Sequence, residues 1–328
     1  MRQKRLTRFR GWPVAMFAVL GLFLGASSVQ ADPPLPASPA TTAVSALEPP
    51  ATSSQSPSTS TGSRVTGDDD MSPSPLEPDF TTVNLATTLR LPRFKSAFRV
   101  THRFTRSLNQ GDFGGSAGDL FGLDAGAQIG LEFRFAPARG AQIGIYRTSD
   151  KTIDFFGSYS VLQAGDTLPL SLSVIGAVEG TNNFKNEKSP SIGVVLGTTI
   201  RNVAAVYVQP TWVGNTNPGS PGLGDTDQTL FLGIGARVRL RRGTFVLAEV
   251  SPRLSGFKGG VATPAQGVFV YAPGKTLASF GLEKQVGGHV FQLNVSNGFA
   301  STPANIARGA ASGRTNWYLG FNISRKFY

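Results

Sequence analysis

Residues 123–135 read LDAGAQIGLEFRF, and apolar and polar side chains alternate along the whole stretch. Successive side chains on a β-strand point to opposite faces of the sheet, so this period of two predicts a strand with one apolar and one polar face. The apolar face consists of Leu123, Ala125, Ala127, Ile129, Leu131, Phe133 and Phe135. The polar face consists of Asp124, Gly126, Gln128, Gly130, Glu132 and Arg134.

Similar segments recur from about residue 94 to the end of the chain, and we predict twelve strands. Their approximate bounds are 94–105, 123–135, 141–147, 152–163, 168–179, 191–201, 203–213, 229–241, 244–254, 276–286, 289–297 and 317–328. The links after even-numbered strands are short, whereas those after odd-numbered strands are longer, except at residues 148–151. Short turns at one rim and longer loops at the other are typical of closed antiparallel barrels in outer membranes.

The alternative fold is a sandwich of two antiparallel sheets with their apolar faces packed together. Ordinary strands have about five or six residues, and many of the strands predicted here are about twice as long. We therefore predict an all-β fold: a closed antiparallel transmembrane β-barrel of about twelve strands, preceded by an N-terminal signal peptide and a disordered leader.

The chain divides into three predicted regions. Residues 1–31 have a basic start, a short apolar run and a small-residue exit, which predicts a secretory signal peptide. Residues 32–79 are rich in Pro, Ser and Thr and lack a hydrophobic period, which predicts a disordered leader. The barrel is predicted for residues 80–328. Its first part, residues 80–92, is open to three interpretations: an extra strand, a segment inside the lumen, or a periplasmic arm.

The 328-residue chain has 31 basic and 20 acidic side chains, a formal net charge of +11, and no cysteine. Some of the basic residues belong to the predicted signal peptide. The others are spread over the strands rather than clustered in a helix or loop, so we do not predict nucleic-acid binding. The lack of cysteine in the sequence excludes disulfides, thiolate nucleophiles and cysteine-based metal sites.

Charged residues in the predicted inward phase of the strands are the candidate site residues. They are Arg99, Arg103, Glu132, Arg134, Asp154, Arg237, Arg239 and Arg241. The last three occupy every second position of one strand and would form a basic ladder on the inner wall. This pattern predicts a pore or binding channel for small solutes, with a basic lumen that would favour anions. Alternatively, the arginines pair with acidic side chains and fill a narrow barrel, with Arg241 a rim charge.

The sequence contains 2 histidines, His102 and His289, and both share the phase of apolar neighbours. Nucleophilic catalysis would need a serine within reach of a histidine and a group that orients the ring. Because no close His–Ser pair stands in the sequence, we predict that the protein is not an enzyme and has no catalytic, cofactor or metal site. Two alternatives to a pore stay open: a structural or accessory barrel, which a plugged lumen would favour, and a membrane-embedded lipid hydrolase.

The predicted location is the outer membrane, with the leader and both chain termini on the periplasmic side. Residues 317–328, WYLGFNISRKFY, form a terminal strand rich in aromatic residues. Such a strand is the element that the barrel-insertion machinery reads. The predicted partners are therefore outer-membrane lipid, the insertion machinery and small solutes.

Four segments carry a resemblance to a known family: SAFRVTHRF (96–104), DLFGLD (119–124), GGHVFQL (287–293) and GFNISR (320–325). They resemble a family of uncharacterised bacterial proteins that is classed as a domain of unknown function and expected to form an outer-membrane β-barrel. The resemblance covers roughly residues 83–328. It implies the fold and the location, and it implies no activity.

Overall fold

The computed structural model describes residues 76–118, 126–165, 168–217, 226–257, 259–265, 268–310 and 315–327. The predicted signal peptide and nearly all of the predicted leader lie outside these ranges. Twelve long strands form the wall: β1 Ser96–Ser107, β2 Ala127–Ala138, β3 Ala141–Thr148, β4 Ile153–Leu162, β5 Ser171–Gly180, β6 Asn186–Ile200, β7 Ala204–Gly214, β8 Gln228–Arg241, β9 Thr244–Ser251, β13 Leu277–Val286, β14 His289–Ser296 and β15 Tyr318–Phe327. The remaining elements are β10 Arg253–Gly256, β11 Gly259–Ala265, β12 Val268–Pro273, α1 Phe113–Gly118, α2 Thr181–Phe184 and α3 Pro303–Arg308.

The wall closes on itself because each of its twelve strands pairs with two neighbours, always antiparallel. Strands β1 to β9 pair in chain order, β13 follows β9, and β14 and β15 complete the ring against β1. Strand β10 adds a short extension beside β8, and β11 pairs with β12 in a separate hairpin. The predicted closed antiparallel barrel of about twelve strands is confirmed.

The links separate the barrel into two rims, which we call the short-turn rim and the long-loop rim. Residues 139–140, 201–203, 242–243 and 287–288 make tight turns at the short-turn rim, where the 163–170 link is longer. Residues 108–126, 215–227, 252–276 and 297–317 make the longest links at the long-loop rim. Ser96 pairs with Phe327, so the barrel begins and ends at the short-turn rim.

Residues 123–125 of the second predicted strand lie outside the described ranges. Most other predicted strand ends lie within a few residues of the observed ones, and two predicted strands differ for reasons that the local sequence explains. Strand β6 begins at Asn186 rather than near residue 191, because Asn182 and Asn183 adopt left-handed backbone angles and complete the reversal within α2. The segment predicted as 244–254 divides at Pro252, which cannot donate to a ladder. Strand β9 ends before this proline.

Side chains on the wall follow the predicted phase. On β2, Leu131 and Phe133 are 49% and 47% exposed on the outside, whereas Glu132 and Arg134 are 4% and 9% exposed and point inward. Exposed Ile, Val, Leu and Phe side chains occur around the whole outer surface, as a barrel in contact with lipid requires. In the described part of the chain, none of the helices is both long enough and apolar enough to span a membrane.

Gly144 lies where an aromatic ring crosses the neighbouring strand. It pairs with Phe156, and a Cβ atom added at Gly144 would lie 2.2 Å from Cζ of that ring. We therefore expect Gly144→Ala to lower the free energy of unfolding by about 1–3 kcal/mol through overpacking. The matched control is Gly157→Ala on β4, where the nearest atom would be 3.5 Å away. Urea unfolding in lipid vesicles measures both, and equal losses would contradict this account.

The lumen contains the segment that precedes β1. Residues 76–91, which we call the lumen hairpin, enter beside β6, β7 and β9, turn at residues 82–85 and return toward the start of β1. Thr82 N donates to Leu85 O at 2.9 Å, which closes the turn. Of the three interpretations of residues 80–92, a segment inside the lumen is the observed one for residues 80–91. Leu76 is already buried, so the last four residues of the predicted leader belong to the lumen hairpin.

A second segment covers the lumen from the other side. Residues 297–310, which we call the lid, include α3 and fold inward at the long-loop rim. Thr302 caps α3 by accepting a hydrogen bond from Asn305 N at 3.3 Å. Ile306 and Ala307 of α3 share an apolar cluster with Leu85 of the hairpin tip. The hairpin and the lid therefore meet inside the barrel.

Candidate functional site: the closed lumen

The tip of the lumen hairpin encloses one carboxylate of the wall. Oε2 of Glu249, on β9, accepts from Thr82 Oγ1 at 2.7 Å and from the backbone N–H groups of Val83, Asn84 and Leu85 at 3.0, 2.9 and 3.1 Å. Its Oε1 accepts from Asn84 Nδ2 at 2.6 Å. Hydrogen bonds to an ionised acceptor are stronger than neutral ones. This five-donor contact, which we call the Glu249 clasp, therefore fixes the tip to the wall.

A fully buried ion pair lies on the same arc of the wall, nearer the short-turn rim than Glu249. Arg237 on β8 and Glu283 on β13 have no exposed side-chain surface, and Nε of the arginine lies 2.9 Å from Oε1 of the glutamate. Arg237 Nη2 donates to Glu283 Oε2 at 3.1 Å and to the backbone oxygen of Thr81 at 2.8 Å. Gln292 donates to the same glutamate oxygen at 3.3 Å. The pair therefore links two wall strands to the hairpin.

A second charged cluster lies on β1 and β2. Arg99 Nη2 lies 2.5 Å from Glu132 Oε2, and Arg134 Nη2 lies 2.9 Å from Oε1 of the same carboxylate. Arg99 also donates to the hydroxyl of Thr81. The guanidinium of Arg134 stacks 4.7 Å from the ring centre of Phe80. Both arginines thus pair with the carboxylate of Glu132 and also contact the hairpin.

Arg103 completes the contacts to the tip. It donates to Asn84 Oδ1 at 3.0 Å and to Asn322 Oδ1 at 2.8 Å. Asn322 in turn donates to the backbone oxygen of Val83 at 3.1 Å. Strand β15 therefore holds the hairpin tip directly, although the two segments are distant in sequence.

The lid is held by a separate acidic residue. Arg308 Nη1 lies 3.2 Å from Glu179 Oε1 on β5, and Thr302 donates its hydroxyl to the other oxygen of that carboxylate. Arg308 also donates to Ser189 Oγ at 3.3 Å. The lid and the hairpin thus have independent polar anchors on different strands.

A cavity of about 100 Å³ remains between the hairpin, the lid and strands β1 to β7. Its lining includes Gln142, Tyr146 and Asp154 from the wall and Ser301 from the lid. The carboxylate of Asp154 is buried, and one of its oxygens has no hydrogen-bond partner among the described residues. A space of this size holds several waters or one small molecule.

The eight candidate residues from the sequence fall into two groups. Six are buried on the inside of the wall: Arg99, Arg103, Glu132, Arg134, Asp154 and Arg237. Arg239 is only half-buried, and Arg241 is exposed at the short-turn rim. The basic ladder on β8 is therefore a single lumen arginine, because the strand leaves the barrel interior after Arg237. Arg241 is instead a rim charge.

The buried charges do not give a basic lumen. The buried basic residues in the described ranges are Arg99, Arg103, Arg134, Arg237 and Lys326. The buried acidic residues there are Glu77, Asp79, Glu132, Asp154, Glu179, Glu249 and Glu283. With the half-buried Arg90 and Arg308, which donate to Ser160 and Glu179, seven basic side chains face seven acidic ones inside the barrel. The surplus of positive charge on the described residues therefore lies elsewhere.

The sequence pattern identified wall residues but none of the hairpin residues that they contact. Thr82 and Asn84 lie in a short stretch without a clear period, and no local signal identifies the carboxylate they bind. Lys326, which donates to the backbone oxygen of Pro78 at 2.6 Å, was also missed. Its inward phase on the last strand was the available signal.

The two histidines lie on the outer face among aromatic rings. His102 stacks 4.7 Å from the ring centre of Phe321, and His289 stacks 6.0 Å from that of Phe291. In the described part of the chain, neither makes a hydrogen bond with a serine. Within the described ranges, no group of three or more His, Asp or Glu side chains is placed to hold a metal ion.

Comparison with known proteins adds the family. No curated protein has a significantly similar sequence. Among solved structures, a triple mutant of Rhodopseudomonas blastica porin is similar at 13% identity and a TM-score of 0.30 over 61% of this chain and 55% of that one. LpxR from Salmonella typhimurium is similar at 13% identity and a TM-score of 0.36 over 70% of this chain and 100% of that one.

At these identities and TM-scores the two structures say nothing about function, and the chain spans only about half the length of the porin. The family comparison is more informative, because a family model described as a membrane-bound β-barrel domain matches residues 79–327. That range includes all twelve wall strands and most of the lumen hairpin. The protein therefore belongs to the family of membrane-bound β-barrel domains designated DUF5777.

Proposed function

We propose that the protein is an accessory outer-membrane barrel, closed at rest, whose working parts are its N-terminal leader and its outer loops. The observation that carries this proposal is the filled lumen: the hairpin occupies it from one side and the lid covers it from the other. A standing pore needs a continuous hydrated path. A lumen with two independently anchored obstructions favours an accessory role over passive transport.

The orientation supports the same role. Barrels of this class have their short turns on the periplasmic side, so we place the leader and the end of the last strand there. Leu76 packs on Val195, Ala205 and Tyr207, on the side of the barrel opposite β1. The chain must therefore cross the lumen before it enters the wall. The lumen hairpin thus sets the point on the periplasmic face from which the leader extends.

A second candidate function is a passage gated by the hairpin. In the described part of the chain, the hairpin backbone pairs only with itself, at Thr81 and Ala86, and contacts the wall through side chains and the Glu249 clasp. It can therefore leave without breaking the ladder of the wall. The cavity beside it already provides part of a polar path. The lumen charges give this passage no preference for anions.

One engineered disulfide distinguishes the two candidates. A Cβ atom added at Gly235 would lie 3.7 Å from Cβ of Thr82, a separation that suits a disulfide. Because the chain has no cysteine, the pair Thr82→Cys and Gly235→Cys should form a single link between the hairpin tip and β8. In planar-bilayer recordings, we expect the natural chain and the oxidised variant to be equally silent.

The control links two wall strands and leaves the hairpin free. A Cβ atom added at Gly281 would lie 3.5 Å from Cβ of Asn294, its partner on the neighbouring strand. The pair Gly281→Cys and Asn294→Cys should therefore behave alike when oxidised or reduced. Openings in the natural chain that disappear on oxidation of the first pair, and not of this one, would replace the accessory role by the gated passage.

A further inference from the structure

The surplus positive charge of the chain is concentrated at the short-turn rim. We define the basic rim as six exposed side chains: Arg93, Arg201, Arg241, Arg242, Lys284 and Arg325. They precede β1, lie in or beside the β6–β7 and β8–β9 turns, and stand near the ends of β13 and β15. In the order of the sheet, these positions form one continuous arc from β6 through β9, β13 and β15 to β1.

Among the described strand ends and turns of this rim, no acidic side chain offsets the arc, and the nearby Glu77 and Asp79 of the lumen hairpin are buried. The stretches 92–96, 136–142, 159–165, 168–171, 199–204, 239–245, 284–290 and 324–327 contain neither Asp nor Glu. The opposite rim differs, because its exposed lysines and arginines are interspersed with Asp112, Asp150 and Glu187. The asymmetry therefore belongs to one rim and is not a property of the whole surface.

Large apolar side chains alternate with the basic ones at the same level. Phe94 and Leu240 are each 62% exposed, and they directly adjoin Arg93 and Arg241 in sequence. The guanidinium of Arg93 lies 4.3 Å from the ring centre of Phe94. Basic groups beside exposed aromatic and aliphatic side chains are typical of the boundary between lipid tails and headgroups. The basic rim is thus continuous with the lipid-facing surface.

We infer that the basic rim binds the anionic headgroups of phospholipids, such as phosphatidylglycerol, in the leaflet at the short-turn rim. Lysine and arginine side chains near a membrane surface attract anionic lipids over about one Debye length. The bound phosphates would supply the negative charge that the described rim lacks. This inference requires only the membrane-bound barrel and is independent of whether the lumen opens.

The competing occupant is the leader itself. Asp68, Asp69 and Asp70 precede Leu76 by a few residues, and Leu76 packs beside β6, β7 and β9, whose short-turn ends adjoin Arg201 and Arg242. Three aspartates carry half as many charges as the six basic side chains of the arc. The lipid surface borders all of it, including Arg325 on the far side, and the flanking apolar side chains favour lipid. Docking of the leader on the rim is therefore the outcome that would contradict lipid binding.

The test counts bound lipid by native mass spectrometry of the full chain in detergent, titrated with phosphatidylglycerol or phosphatidylcholine. We expect the variant Arg201→Gln, Arg241→Gln, Arg242→Gln and Arg325→Gln to lose about tenfold or more of the preference for phosphatidylglycerol. The matched control removes four basic residues from the other rim: Arg147→Gln, Lys151→Gln, Lys185→Gln and Lys188→Gln. It should change the preference by less than about twofold. Unchanged heat-modifiable gel migration establishes that each variant is folded.

Two results would overturn the inference. One is a preference for phosphatidylglycerol in the four-residue rim variant equal to that of the natural chain. The other comes from replacing Asp68, Asp69 and Asp70 by asparagine. If that change raises phosphatidylglycerol binding as much as the rim variant lowers it, the leader is the occupant of the rim.

Discussion

Replacement of Glu249 by alanine should free the lumen hairpin while the wall of the barrel stays intact. The carboxylate is the shared acceptor of five hydrogen bonds from the tip, three of them from consecutive backbone N–H groups. Hydrogen bonds to a charged group contribute about 1.5–3 kcal/mol each. Loss of even two of these bonds weakens docking of the hairpin on the wall by about 3–6 kcal/mol, which lowers the equilibrium constant for docking by a factor of roughly 10²–10⁴.

Hydrogen exchange measures this change directly. We expect the amides of residues 76–91 to lose protection in Glu249→Ala, while those of the wall strands keep theirs. Glu249→Gln should have a smaller effect, because one oxygen can still accept from the tip. The control is Glu187→Ala, which removes an exposed glutamate at the long-loop rim. Full protection of the hairpin in Glu249→Ala would show that the clasp does not hold it.

Replacement of Arg237 by alanine should destabilise the whole barrel. Its partner Glu283 is completely buried, and the substitution would leave that carboxylate without its counter-charge. Breaking a buried ion pair from one side costs about 3–5 kcal/mol. The hairpin would also lose a bond to the backbone oxygen of Thr81. We expect a large fall in the urea midpoint of unfolding in lipid vesicles.

Two further variants separate charge from packing. The double variant Arg237→Met with Glu283→Leu removes both charges and should recover a large part of the lost stability, because apolar replacements of similar volume relieve the desolvation cost. Arg241→Ala removes an exposed arginine from the same strand and should change stability by less than about 0.5 kcal/mol. A single variant Arg237→Ala that unfolds like Arg241→Ala would contradict the role given to this pair.

The surplus positive charge of the chain does not lie in the lumen, where the sequence pattern suggests it. From the sequence, inward-phase arginines such as Arg99 and Arg134 suggest a basic channel. In the structure these arginines share Glu132 and contact the hairpin, so their charge is used internally. The unbalanced positive charge lies at the rim, where it faces the membrane surface rather than a solute. The lumen residues thus support a closed barrel, whereas a different set of residues, the basic rim, forms the proposed lipid-binding edge.

The sequence by itself determined the wall. The period of two is a property of the extended backbone, so residues such as Leu131 and Glu132 select opposite faces without reference to any distant partner. Alternating short and long links then specify antiparallel neighbours and the two rims. The outward apolar sets restrict the register of β1 against β2 and β15 to shifts of two residues, and the observed pairings obey this restriction. These features need only local information.

Only the tertiary structure decided what fills the barrel. The Glu249 clasp joins residues more than 160 positions apart in the chain, and no local pattern in residues 76–91 specifies such a partner. Which inward charges pair with each other and which remain at the rim depends on where each strand leaves the lumen, as Arg237 and Arg241 show. Burial converts a polar segment into a plug only because the closed wall supplies matching acceptors and donors. The period of a strand cannot encode that match.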